Sequence, residues 1–261
     1  TGGTAYLPAL GAPPKRVALA SFYVLDCGNE KHSIANTVFM SSRQINVTGV
    51  PALAEALHEV GIGPLKESFA KHGMQLLTPD EFLDTDSKKT AYISFKVEMS
   101  GMAKFTASLQ DKDRRLVGQE GAPNGYRVLK VVNNNNVERN DFMLAAKGGD
   151  GMLFAGLGHD LAESLGVDAV ALMYNVVQGK PKTIELLSSY LYLFGPNPVK
   201  NASPGRSWTG HQYAGFYLKL EATIIKLSKE GNAADVAGYS RVARALGERT
   251  GLYLEEQIRG K

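Results

Sequence analysis

The sequence predicts one mixed α/β (α+β) domain: a single mixed β-sheet with helices packed on it, antiparallel late strands and a C-terminal helix. Three observations carry that expectation. Two runs, Arg16–Leu25 and Asp168–Val177, are apolar on both alternating faces, as strands covered on both sides are. Helical patterns interleave with the early strands, whereas the late strands Thr183–Phe194 and Gly215–Leu227 follow one another. No internal repeat and no linker composition divides the 261 residues, a length that buries a substantial core as one unit.

Residues 1–14 are rich in Gly, Pro and Ala and carry no helical or strand period. They read as a flexible tether ahead of a domain at 15–261. Opening on Thr1 fits the mature end of an exported protein or of a lipoprotein past its anchor, and fits an arbitrary boundary equally well. After the first strand, the residues to Gly49 show mixed polarity and read as a long connection with short pieces of structure. Pro51 suits a first helical turn, and Leu53, Leu57 and Val60 share a face before Gly61 stops the run. A second helical piece carries Leu65 and Phe69, and Met74–Leu77 is a short strand.

Thr78-Pro79-Asp80-Glu81 is a capping box, so a short helix is expected from Pro79. Ala91–Met99 alternates strictly and predicts a strand with one wet face; Tyr126–Val132 is a further strand candidate, ending in the polar turn Asn133–Asn136. The stretch near 84–149 has the character of an insertion. Gly148–Gly151 opens a helix whose Phe154, Leu157, Leu161 and Leu165 share a face, closed by Gly166 in the left-handed conformation. In the last strand, Phe216, Leu218, Leu220, Ala222 and Ile224 are expected on one face. Asn232 caps a final helix from Ala233.

Composition narrows the chemistry. With 29 Lys+Arg against 26 Asp+Glu the net charge is +3, too small for the electrostatic footprint of a nucleic-acid binder. No uninterrupted apolar stretch reaches the roughly 18 residues a membrane-spanning helix needs. Cys27 is the only cysteine, so no disulfide forms within the chain. The five histidines, His32, His58, His72, His159 and His211, show no metal-ligand spacing, and neither a metal nor a cofactor is expected. Gly156-Leu157-Gly158 lies inside a predicted helix, where close packing on the sheet explains it better than phosphate binding. The adjacent pair His159-Asp160 is not expected to meet on a helix.

Two candidate surfaces remain. Asp26, Cys27 and His32 follow the first strand, where α/β folds place reactive groups, with His159 a distant addition. Tyr190, Tyr192, Trp208, Tyr213 and Tyr217 gather around the loop Gly195–Ala214; they line a binding surface or simply cover one side of a sheet.

Three stretches, Lys15–Ala20, Pro51–Leu77 with Leu76-Leu77-Thr78-Pro79, and Leu161–Ala171, resemble the α/β envelope domain shared by the amino-terminal part of TolB and the curli secretion-channel lipoprotein. Val167 stands where that passage usually has alanine, and the insertion departs from the pattern. The resemblance implies a bacterial envelope protein, periplasmic or outer-membrane-associated, with a lost lipid anchor and a protein partner or self-association. It carries no catalytic residues. The expected function is therefore a non-enzymatic interaction or assembly module; the alternative is an enzyme or small-molecule binder around Cys27.

Overall fold

In a computed structural model, residues 4–26, 30–34, 37–41, 49–98, 119–129, 151–180, 183–199, 205, 208–226 and 236–260 are described. The central sheet joins β1 (Arg16–Asp26), β4 (Gln75–Leu77), β6 (Ala169–Lys180), β7 (Thr183–Pro196) and β8 (Gly210–Lys226) in the order β4-β1-β6-β7-β8. β5 (Gln119–Gly121) pairs antiparallel with the end of β1. β4, β1 and β6 are parallel, while β7 and β8 return antiparallel, so the sheet is mixed as expected. β2 (Glu30–Ile34) and β3 (Thr37–Ser41) form a separate hairpin within the long connection.

Helices close both faces. α1 (Gly49–Lys71) and the C-terminal α6 (Tyr239–Ile258) cover one face, where Leu53, Leu57, Leu65, Leu246 and Leu254 meet Leu19, Phe22, Met173 and Leu191. The opposite face is covered by α2 (Pro79–Phe82), α3 (Asp86–Ser94), α4 (Gly151–Ala155), a π-helical stretch (Gly156–Leu161) and α5 (Ala162–Leu165). The crossover from β1 to β4 thus runs over one face, and the helices preceding β6 lie on the other. Gly166 takes φ 65°, and Asp168 two residues on accepts the backbone N–H groups of Lys15 and Arg16 at 3.0 and 2.8 Å. That carboxylate fixes where β1 begins beside β6.

Several expectations are corrected. The segment 1–14 is not a bare tether: Thr4–Leu10 is a 3-10 helix whose Leu7 is buried in the α1/α6 core. α1 does not stop at Gly61 but runs through it and Pro64. Gly61 is a contact point, because a Cβ there would lie 2.6 Å from the Tyr239 ring of α6. Ser68 returns a hydrogen bond to the Pro64 carbonyl at 2.9 Å.

The strand expected at 91–99 is a helix to Ser94 followed by irregular chain. Thr85 caps α3 by accepting the Lys88 N–H at 3.3 Å, and Ile93, expected inside, is 67% exposed. The period of two was fortuitous; the cap and the turn Tyr92–Phe95 decide the state. Residues 126–129 are likewise not a strand. In β8 the described members of the expected face are Phe216, Leu218 and Leu220; the side chains of Ala222 and Ile224 lie outside the described residues. Phe216, Leu218 and Leu220 pack against the α1/α6 core as expected, and a bulge between Lys219 and Thr223 shifts the pairing with β7. α6 begins at Tyr239, not Ala233; Asn232, Asn133–Asn136, Gly148 and most of 84–149 lie outside the described residues.

Candidate functional site

The first expected surface sits at a topological switch. β1 has β4 beside its first residues and β6 along its length, reached over opposite faces, an arrangement that puts ligand crevices at the carboxyl ends of such strands; here that end of β1 is flanked by β5 and β6. Asp26, the last residue of β1, lies there fully buried. Cys27 is outside the described residues, and His32 is placed only as a β2 position opposite Phe39. His159 belongs to the π-helical stretch, whose contacts are to β6, β7 and β8.

The aromatic group divides. Tyr213 points into the α1/α6 face and donates its hydroxyl to the Pro196 carbonyl at 2.6 Å. Trp208 stands 47% exposed at the end of the β7–β8 hairpin, where its carbonyl accepts the Asn197 side-chain amide at 2.9 Å. Tyr190 and Tyr192 are buried on the opposite face of the sheet. They belong to a ladder that sequence reading did not find. Register places Tyr23 beside Tyr174, Tyr174 beside Tyr190 and Tyr190 beside Tyr217, one ring from each of β1, β6, β7 and β8. The rings stack at 5.2, 4.4 and 5.5 Å between centroids. The expected covering of one side of a sheet by tyrosines is therefore what Tyr190 and Tyr192 do, and only Tyr217, 47% exposed, reaches water.

Burial pushes the Tyr23, Tyr174 and Tyr192 hydroxyls well above the usual phenol range. Among the described residues the Tyr23 hydroxyl meets no hydrogen-bond partner. Tyr92 is better served: it donates to the Ala20 carbonyl at 2.7 Å and accepts the Arg127 N–H at 2.9 Å. Burial, its largest influence, raises it to about 12. Arg127 also hydrogen-bonds the Tyr92 carbonyl and the Phe95 carbonyl, the latter at 3.1 Å, so a guanidinium from a distant segment closes the end of α3.

The histidines do not converge. His58 Nε2 and the Tyr126 hydroxyl are 3.0 Å apart, with the Phe22 ring edge-on to the imidazole at 5.2 Å. Burial lowers the His58 pKa, against the opposing pull of Glu55 and Asp80. His72 Nδ1 lies 2.8 Å from Glu255 across the α1–α6 seam. His211 is buried at the start of β8. His159 Nδ1 and Asp160 Oδ1 do meet, at 2.9 Å, contrary to the expectation for adjacent helical residues. Both side chains are more than a third exposed, and their stretch is π-helical and wider than the α-geometry assumed. Among the described residues no group of three or more His, Cys, Asp and Glu side chains could hold a metal ion. Gly158 serves close packing, since a Cβ there would strike the Gly195 carbonyl of β7.

One buried polar cluster had no counterpart in the sequence reading. Asn175 Oδ1 accepts from Ser189 at 2.6 Å and from Tyr239 at 2.8 Å, which ties β6, β7 and α6 together. Nothing local signals it, because the partners are 14 and 64 residues away. No helix among the described residues is long and apolar enough to cross a membrane. No family model matches the chain, and no curated protein or solved structure shows a significant similarity to it.

Proposed function

We propose that this protein is a binding and assembly module of the bacterial cell envelope, working through the outer hairpin β7–β8 and not through a catalytic centre. The observation that carries the reading is the exposure of two large aromatic side chains, Trp208 and Tyr217, each 47% open, on the outermost strand of the sheet and the turn leading into it. Aromatic rings give large contact area at low entropic cost and are enriched where proteins bind proteins. Tyr217 is held by stacking on Tyr190, and the Trp208 backbone is pinned by Asn197, so both are presented in fixed positions. The envelope setting, periplasmic or at the outer membrane, rests on the resemblance of Lys15–Ala20, Pro51–Leu77 and Leu161–Ala171.

Site-specific photocrosslinkers at 208 and 217, compared with the more open positions 93 and 252, test the reading in bacterial cells. Protein adducts confined to 208 and 217, recovered in the envelope fraction, are expected. Equal adducts at all four positions, or none, overturn the binding role, and adducts in the cytosolic fraction overturn the setting.

The complete burial of Asp26 at the switch point supports a second reading, a small-molecule site around Asp26, Cys27 and His32. Under it, Cys27 in folded protein reacts with a thiol reagent and a bound ligand protects it. An unreactive Cys27 removes that reading.

A further inference from the structure

The tyrosine ladder ends on an open ring. Tyr23, Tyr174 and Tyr190 are each at most 5% exposed, while Tyr217, at the edge of the sheet, is 47% exposed. Among the described residues no strand pairs with the outer edge of β8. A strand added there would lie about 4.8 Å away and would set one side chain against Tyr217, at the spacing the ladder already has.

The irregularities of β8 say which strand fits. Its pairing with β7 is regular from Ala214 to Lys219 and broken on each side. One bulge falls at Tyr213, between Gln212 and Ala214, and the other spans residues 220–222. The midpoint between these two bulges is Tyr217. An antiparallel copy of β8 related by a twofold axis at Tyr217 therefore sets the one-residue bulge at Tyr213 against the wider irregularity at 220–222, so the irregular stretches of the two strands fall together. A generic extended peptide, lacking both kinks, matches only the short stretch between them.

Side chains agree with that register. Tyr217 stacks on the partner's Tyr217 and continues the ladder. Half-buried Phe216 meets the partner's half-buried Leu218 on the α6 face. Exposed Lys219 faces the partner's Gly215, away from its own twin, with its ammonium diagonal to the partner's Tyr217 ring. Shifting the register by two residues in each strand sets Lys219 against the partner's Lys219, which like-charge repulsion disfavours.

We infer that two copies of this chain associate through β8, antiparallel about Tyr217, to make one continuous sheet. The inference deepens the proposed binding role by naming a second copy as the partner at Tyr217. The regular seam is short, so the dimer is expected to dissociate on dilution.

Sedimentation velocity of the intact chain over a wide concentration range is the first test. A reversible dimer is expected, with Tyr217→Glu weakening it at least tenfold, because two carboxylates then meet on the axis. A trapping experiment is independent of that variant. In a Cys27→Ser background, Tyr217→Cys is expected to oxidise to a disulfide dimer, since directly opposed Cα atoms lie about 4.5–5.5 Å apart. Lys219→Cys is expected not to, because its twin lies roughly 13 Å along the strand. A chain that remains monomeric at millimolar concentration overturns the inference and leaves the photocrosslinking test of the broader role standing. A dimer indifferent to Tyr217→Glu, or trapped equally well at 219, overturns the β8 seam while leaving self-association in place.

Discussion

The α1/α6 face and, as far as Tyr217 at the sheet edge, the tyrosine face of the sheet are closed to water by different chemistry. On the first, aliphatic side chains of two parallel helices interlock with strand residues, and Gly61, Gly247 and Gly251 let the helices approach each other. On the second, aromatic rings stack along the hydrogen-bonding direction of the sheet, crossing four strands before any helix is involved. The first face gains its stability from helix docking. The second gains much of it within the sheet, through cross-strand pairs, and so carries its order out to the edge. That is why the exposed ring of Tyr217 is rigidly placed.

The sharpest way to break this comparison is to empty one face. Leu57→Ala on α1 deletes a fully buried side chain between α1 and β1. It is expected to cost about 2–5 kcal/mol in denaturant unfolding, and a loss under 1 kcal/mol would mean that helix docking matters less than argued. On the other face, Tyr92→Phe keeps the ring but removes the acceptor for Arg127 and the donor for Ala20, for an expected loss of about 1–3 kcal/mol. Loss of protection at the Phe95 amide in hydrogen exchange should accompany it, since Arg127 would no longer be held at the end of α3.

A pH titration separates the faces further. His58 on α1 has a folded-state pKa below its unfolded value, so the unfolded chain takes up the proton first. Stability is expected to be flat above about pH 6.5 and to fall as pH drops below it, by at most about 1.4 kcal/mol per pH unit, until the depressed folded pKa is passed. Comparing unfolding curves of the wild-type chain and His58→Asn between pH 7.5 and 5 reads this directly. An unchanged slope in the variant assigns the effect elsewhere. The smallest effect is expected at Tyr23→Phe, which deletes a buried hydroxyl without a hydrogen-bond partner among the described residues. Stability should stay within about 1 kcal/mol of wild type, on the favourable side, opposite in sign to Tyr92→Phe.

Much of the fold was legible in the chain. The doubly apolar runs are β1 and β6, adjacent and parallel at the centre of the sheet. The capping box starts α2 at Pro79, with Glu81 accepting the Thr78 N–H at 2.7 Å. Gly166 closes its helix in the left-handed conformation as expected. The candidate site was less legible. Tyr190 and Tyr192 were singled out, but Tyr23 and Tyr174, which complete the stack, lie 151 residues apart in sequence and carried no shared signal. The failure at 91–99 has a plain cause. Alternation is a weak local cue, which the Thr85 cap and Arg127 overrule.

What the amino-acid order determined by itself is therefore whatever a few neighbouring residues can enforce: strand cores by unbroken apolarity, helix starts by caps, a helix end by a glycine at positive φ. Tertiary structure decided which strands became neighbours and in what register, and hence that four tyrosines share one row and that Asn175 meets Ser189 and Tyr239. The physical reason is that register depends on bulges and on packing across the sheet. A slip of one residue would turn every ring to the other face, and no local pattern encodes that choice.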